Sequence, residues 1–270
     1  MEDLNKQQLI LLTLLVSFVT SIATGIITFS LLKEAPVEVT QTINRVVERT
    51  IEKVVPVEGG GGTTVTEVTT VVSEEDLILE SIEKNIKSIV RIKTLGADGT
   101  EIVTGLGLVV GSDGVVAVDE RSFGGGNYSI VFHDGGIYNV SKSYKDPNSK
   151  IVFLKVGKAA ADTYKFYPGV LGNSGILKLG QTLIAVTGRE RNTVAIGRVS
   201  DISKDAEGGI KLLSTDLRSL RASPGSPVLN LNGEVVGLEA PISDGADTIS
   251  YYPINMIQKA LSLALAELAK

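Results

Sequence analysis

Gly105-Leu106-Gly107-Leu108-Val109-Val110-Gly111-Ser112-Asp113-Gly114-Val115-Val116 is the stretch on which the fold turns. Two apolar, β-branched runs, Ile102–Val110 and Val115–Val118, flank the triplet Ser112-Asp113-Gly114. Asp and Gly are the residues a tight reversal needs, one for a local side-chain hydrogen bond and one for a positive φ, so the stretch predicts strand, turn, strand. The same grammar recurs along the chain. Tyr128–Phe132 and Ile137–Val140 flank His133-Asp134-Gly135-Gly136, and Ser88–Lys93 precedes them as a further strand. Ile151–Val156, Thr182–Val186, Thr193–Val199, Ile210–Leu213, Pro227–Leu231, Val235–Glu239 and Thr248–Tyr252 continue the series. Many short strands between turn signals predict a closed all-β architecture, two small barrels in sequence.

Two helices bracket these strands. Ser73 is placed as an N-cap, with Glu74, Glu75 and Asp76 in the first turn where the helix dipole favours anions, and the helix runs to about Lys87. The last helix is predicted to start at Asn255 as N-cap and to turn Ile257, Leu261, Ala264, Leu265 and Leu268 inward.

Composition limits the chemistry. The 270 residues carry a formal net charge of −5, which argues against a nucleic-acid function driven by phosphate contacts. There is no cysteine, so disulfides, thiolate metal sites and cysteine nucleophiles are excluded. His133 is the only histidine, and it sits in a hairpin turn. Asp201, Asp244 and Asp247 lack calcium-loop spacing, and Gly124-Gly125-Gly126 is not followed by the Lys-Ser/Thr of a phosphate loop. No metal and no cofactor is expected.

Leu9 to Leu32 contains no charged residue. About 24 helical residues span roughly 36 Å, enough to cross a bilayer with some tilt. Residues 1–33 therefore read as a retained transmembrane anchor and 34–72 as a stalk. In the stalk, Ile43, Val47, Ile51 and Val54 fall near helical spacing, Pro56 ends the run, and Gly59–Gly62 form a joint. Residues 73–270 form the globular domain.

Read in order, several phrases resemble the trypsin-like serine proteases of the HtrA class. Gly105–Val116 resembles the family's G-x-G-hydrophobic-x-x-x-D-G phrase. Asp146-Pro147-Asn148-Ser149-Lys150 with Ile151–Val156 is similar to its D-P-x-x-D strand. Leu179-Gly180-Gln181, Ser214-Thr215-Asp216 and Tyr252-Pro253-Ile254-Asn255-Met256 match further phrases. Ser223-Pro224-Gly225-Ser226-Pro227-Val228-Leu229-Asn230 follows the G-N-S-G-G-P-L phrase around the nucleophile. The resemblance covers about residues 75–268. It implies the trypsin-like fold of two six-stranded β-barrels with a C-terminal helix and a cleft between the barrels. It also implies a C-terminal peptide-binding module, for which no residues follow the helix ending at Lys270.

The resemblance further says where a Ser-His-Asp triad should stand, and each position is substituted: the histidine falls on Arg121, the aspartate on Lys150 and the serine on Pro224. Arginine stays protonated and cannot act as base. Proline offers neither a hydroxyl nor the backbone N–H that the family's oxyanion hole uses. The catalytic set is thus expected to be degenerate, with Ser223, Gly225, Ser226 and Asp216 as candidate cleft residues. Arg121 and Lys150 are expected to face each other across that cleft, with Glu120 and Asp216 as partners.

Three functions follow. The first is an inactive, membrane-anchored domain that binds a peptide or protein outside the cytoplasm, on the periplasmic or cell-surface side, using strand edges of the old cleft. The second is an active serine endopeptidase with Ser223 or Ser226 as a displaced nucleophile. The third is a structural element of an envelope assembly. Homo-oligomers are expected from the stalk's apolar stripe and the family's habit.

Overall fold

The computed structural model describes residues 5–34, 46–50, 69–96, 98–124, 126–157, 163–217, 223–241 and 249–270. Helix α1 (Lys6–Glu34) belongs to a unit of its own, Met1–Asn44. Its segment Lys6–Thr28 is long and apolar enough to cross a membrane.

In the second unit, β1 (Val46–Thr50) pairs antiparallel with β2 (Thr69–Ser73), Val46 lying opposite Ser73 and Thr50 opposite Thr69. Val47 is therefore on a strand and not on the expected helical stripe. A β-branched run prefers extended backbone once an equally β-branched partner is at hand. Ile43, Ile51, Val54, Pro56 and Gly59–Gly62 lie outside the described residues. Helix α2 (Glu74–Asn85) begins as expected, with Ser73 and Asp76 forming a reciprocal capping box.

Strands β3 (Ile89–Leu95), β4 (Glu101–Val109), β5 (Val115–Asp119), β6 (Tyr128–Val131), β7 (Ile137–Lys145) and β8 (Ile151–Val156) close into one barrel in the order β3-β4-β5-β8-β7-β6. Strands β9 (Thr182–Thr187), β10 (Thr193–Lys204), β11 (Ile210–Thr215), β12 (Pro227–Leu229), β13 (Val235–Glu239) and β14 (Ile249–Pro253) close into a second, β10-β11-β14-β13-β12-β9. Helix α3 (Ile254–Leu268) ends the chain. Every ladder is antiparallel.

Side-chain alternation divides the core. In β5, Val116 and Val118 point into the first barrel, while Val115 and Ala117 join a layer shared with the second barrel and α3. In β8, Val152 and Leu154 point in and Ile151 and Phe153 point out to that layer; in β9, Leu183 and Ala185 point in and Ile184 and Val186 out. Strands buried on both faces must be largely apolar, as Val115–Val118, Ile151–Leu154 and Leu183–Val186 are. The second halves of β7 and β10 are mostly exposed, so their polar residues gave no strand signal, and both strands run five residues past the expected ends at Val140 and Val199. Asn255 is not the cap of α3; Pro253 is. The Asn255 side chain instead accepts from Ser174 N at 2.9 Å and donates to Asn173 Oδ1 at 2.8 Å. Leu265 is exposed, and Ile254 and Ala260 complete the inner face of α3.

Asn85, at the end of α2, fastens that helix to the loops at Val170 and Gly233. Its buried amide donates to Gly233 O at 2.7 Å and accepts from Val170 N at 3.1 Å. Asn85→Ala is expected to destabilise the full chain by about 1–3 kcal/mol for each buried group left unpaired, read as a fall in the urea midpoint in detergent micelles. An unchanged midpoint would remove this fastening role.

Candidate functional site

The three positions singled out by the triad resemblance converge where the barrels meet. Arg121 lies in a short 3₁₀ turn after β5, and Lys150 immediately precedes β8. They are held together by Asp119 pairing with Ile151 and by a 2.7 Å bond from Glu120 N to Lys150 O. Both belong to the first barrel, so they are strand neighbours and do not face each other across a cleft. Pro224 comes from the second barrel, and its carbonyl accepts from Leu106 N of β4 at 2.8 Å. The approach is close enough to demand glycine. A Cβ on Gly225, at φ +78°, would lie 2.3 Å from Leu106 O, and one on Gly105 would lie 2.7 Å from Pro224 O.

Arg121 is fixed by two carboxylates. Its backbone N–H and Nε donate to Asp119 Oδ1 at 2.8 and 2.7 Å, and its Nη2 reaches Glu239 Oε1 on β13 at 3.3 Å. Asp119 is fully buried and the Glu239 side chain is 8% exposed, whereas the arginine side chain is 40% exposed. One guanidinium therefore serves two buried carboxylates on opposite barrels. Asp119 Oδ2 and Glu239 Oε2 have no hydrogen-bond partner among the described residues. Burial raises the pKa of Glu239, Arg121 offsets part of the rise, and Asp119 adds to it. For Arg121 burial works against the charge, but the two carboxylates outweigh it and the pKa is raised. This position cannot accept a proton.

Lys150 sits 3.4 Å from Glu120 Oε2, and Lys145 binds the other oxygen of Glu120. The hydrogen bond from Lys145 chiefly, with that from Lys150, lowers the Glu120 pKa. Glu120 thus serves Lys150, as expected, but Arg121 has other partners. Asp216 is not one of them. Its Oδ1 accepts from Arg198 N at 2.5 Å, and its own N–H donates to Arg198 O at 3.1 Å, at the edge of β10. Arg218 and Arg221 lie outside the described residues.

Ser223 and Ser226 are 1% and 2% exposed. Ser226 Oγ lies 2.6 Å from Ser223 O and 3.1 Å from Thr187 Oγ1, and Ser223 N donates to that same threonine oxygen at 3.1 Å. These serines are turn-closing groups. His133 lies between β6 and β7, with its ring packed edge-on against Tyr167 at 5.5 Å. No cluster of three or more His, Asp or Glu residues suited to a metal ion occurs among the described residues.

The sequence reading missed Asp119 and Glu239 as partners of Arg121, and Thr187 as the holder of the serines. One signal was available for Glu239: it is the single charged residue in the run Val235–Glu239. Its partner lies 118 residues earlier, so only the barrel packing reveals the pair.

Two closed antiparallel six-stranded barrels, with Arg121, Lys150 and Pro224 on the loops where they meet, define a chymotrypsin-type architecture. Residues 95–238 match the family described as Trypsin-like peptidase domain. The chain belongs to that family, in its HtrA class. It is 27% identical over 146 residues to a "Probable periplasmic serine endoprotease DegP-like" of Bartonella henselae, covering 52% of this chain and 28% of that protein. A like-named protein of Chlamydia trachomatis is 26% identical over 152 residues, with 54% and 30% covered. "Serine protease HTRA2, mitochondrial" of Bos taurus is 25% identical over 181 residues, with 62% and 38% covered. The matched region thus spans roughly a third of these relatives' length.

The Glu239 pKa gives a pH dependence. A carboxyl whose folded pKa lies above its ordinary value of 4.5 contributes stability below that value and loses it as pH rises through the raised one. Glu239→Gln keeps an oxygen for Arg121 but does not ionise. The wild-type chain should therefore lose stability relative to this variant from about pH 4.5 upward, measured as the difference in urea midpoint across pH. A difference that stays constant or grows in favour of the wild type on raising pH would contradict this.

Proposed function

We propose that the chain is a non-catalytic member of the trypsin-like HtrA class, anchored by α1, whose barrel domain binds a peptide or protein partner outside the cytoplasm. The observation that carries the reading is Arg121, a permanent cation tied to Asp119 and Glu239 where the family places its general base. Around it, Lys150 supplies a positive charge where a carboxylate would orient an imidazole. Pro224 has no hydroxyl and no N–H, and its carbonyl is engaged by Leu106. Burial of Ser223 and Ser226 argues against a displaced nucleophile, and the Ser226 hydroxyl is already engaged by Ser223 O and Thr187 Oγ1. The relatives named periplasmic, together with an apolar N-terminal helix, support the extracytoplasmic placement.

Full-length protein in detergent should neither hydrolyse unfolded casein nor react with a fluorophosphonate probe. Turnover above a mock preparation that vanishes in Ser223→Ala or Ser226→Ala would overturn the reading. Restoring one position alone, by Arg121→His, Lys150→Asp or Pro224→Ser, should also give no labelling, because triad members act as a unit.

Placement is tested separately. Protease added to intact spheroplasts should remove the barrel domain. Digestion only after lysis would reverse the assigned orientation.

A further inference from the structure

We propose that the outer edge of β10 at Val194 and Ile196 docks an extended, acidic segment of a partner protein as an added strand. This rests on the binding role proposed above and supplies its site, which is not the old cleft.

The hydrogen-bond parity of β10 fixes which groups are free. Val199 faces β9 and its approach, donating to Gln181 O at 3.0 Å and accepting from Gly180 N at 2.8 Å. Arg198 faces the other way, both its N–H and its C=O being taken by Asp216. The register with β9 runs without a shift from Thr193↔Thr187 to Arg198↔Thr182. In an antiparallel ladder the two directions alternate, so Ile196 and Val194 share the outward direction of Arg198. Strand β11 pairs with β10 only from Val199 onward. The outward amides and carbonyls of Val194 and Ile196 therefore have no strand partner among the described residues. Asp216 closes the edge below them.

The same two residues expose apolar side chains, 41% for Val194 and 55% for Ile196, on the face shared with Arg198. The edge is held in place. Arg91 of β3 donates through Nε to Arg189 O and through Nη2 to Asn192 Oδ1, both at 2.7 Å, and so fastens the β9–β10 turn to the first barrel. A fixed edge with paired donors and acceptors takes an extended backbone with little ordering of its own. The occupant's charge follows from the surroundings. Exposed Arg189, Arg191 and Arg198 outnumber the two carboxylates around this edge, Glu190 and Asp216, and the carboxylate of Asp216 is already taken by Arg198 N. A second copy paired antiparallel would bring Arg198 of each copy toward the other's Arg189 and Arg191, and so short an edge falls far below the area of a stable dimer. An acidic strand with apolar side chains at alternate positions meets every feature.

The test uses full-length protein in micelles and a fluorescent, end-blocked peptide of sequence Asp-Thr-Val-Thr-Val-Thr-Asp, followed by anisotropy. Saturable binding is expected. It should weaken about tenfold or more when the peptide amides that face β10 are N-methylated, and when the terminal aspartates become lysines. Ile196→Pro should weaken it similarly while leaving thermal unfolding unchanged, since proline is tolerated where a strand N–H points away from its sheet. The N-methylated peptide keeps the test decisive whether or not that variant folds. Absence of saturable binding up to millimolar peptide, or equal affinity for the N-methylated peptide, would overturn the site. Fluorophosphonate labelling would instead sink the non-catalytic reading and leave this edge standing.

Discussion

The apolar layer between the barrels is the constraint from which the rest of the structure follows. A barrel wall must bury its inner face, and here β5, β8 and β9 must bury the outer face as well, because the barrels and α3 pack on one another. Such a wall admits almost no polar group without a partner. It therefore confines charge to the strand ends, and the ends of β5, β8 and β13 are where Asp119, Lys150 and Glu239 stand. The Pro224-Gly225 turn is pressed onto β4 closely enough that side chains are excluded from the contact.

At that junction the electrostatics are those of a brace. A general base must shed and take up protons near neutrality. A guanidinium between two buried carboxylates does neither, and its attachment to both barrels resists their relative movement. Glu120 plays the corresponding part on the surface, linking Lys145 and Lys150 without burial. Such solvent-facing pairs contribute little to stability and mainly set local charge. The balance of negative and positive groups thus changes over a few residues, from excess carboxylate in the interior to excess ammonium at the rim.

Legibility followed burial. β8 and β13 were readable because each carries a buried apolar run, Ile151–Leu154 and Val235–Leu238. The far halves of β7 and β10 were unreadable because they are largely exposed and carry serine, lysine and aspartate. Val47 misled because four-residue spacing of β-branched residues fits a helix stripe, while its strand partner, Val72, lies far along the chain. Asn255 looked like a cap by type, yet its amide is used sideways to hold the loop at Ser174. At the candidate site the substituted positions were visible in the order of phrases alone. The partners were not, since ion pairing between barrels depends on which strand ends meet.

The brace at Arg121 also has an evolutionary consequence. A histidine at this position is too short to serve both Asp119 and Glu239, so it would strand a buried carboxylate before any catalytic gain could accrue. Replacement of Arg121 alone therefore runs downhill in stability. The pairing works as a ratchet: once the arginine and its carboxylates are in place, selection for folding alone keeps a shorter side chain out.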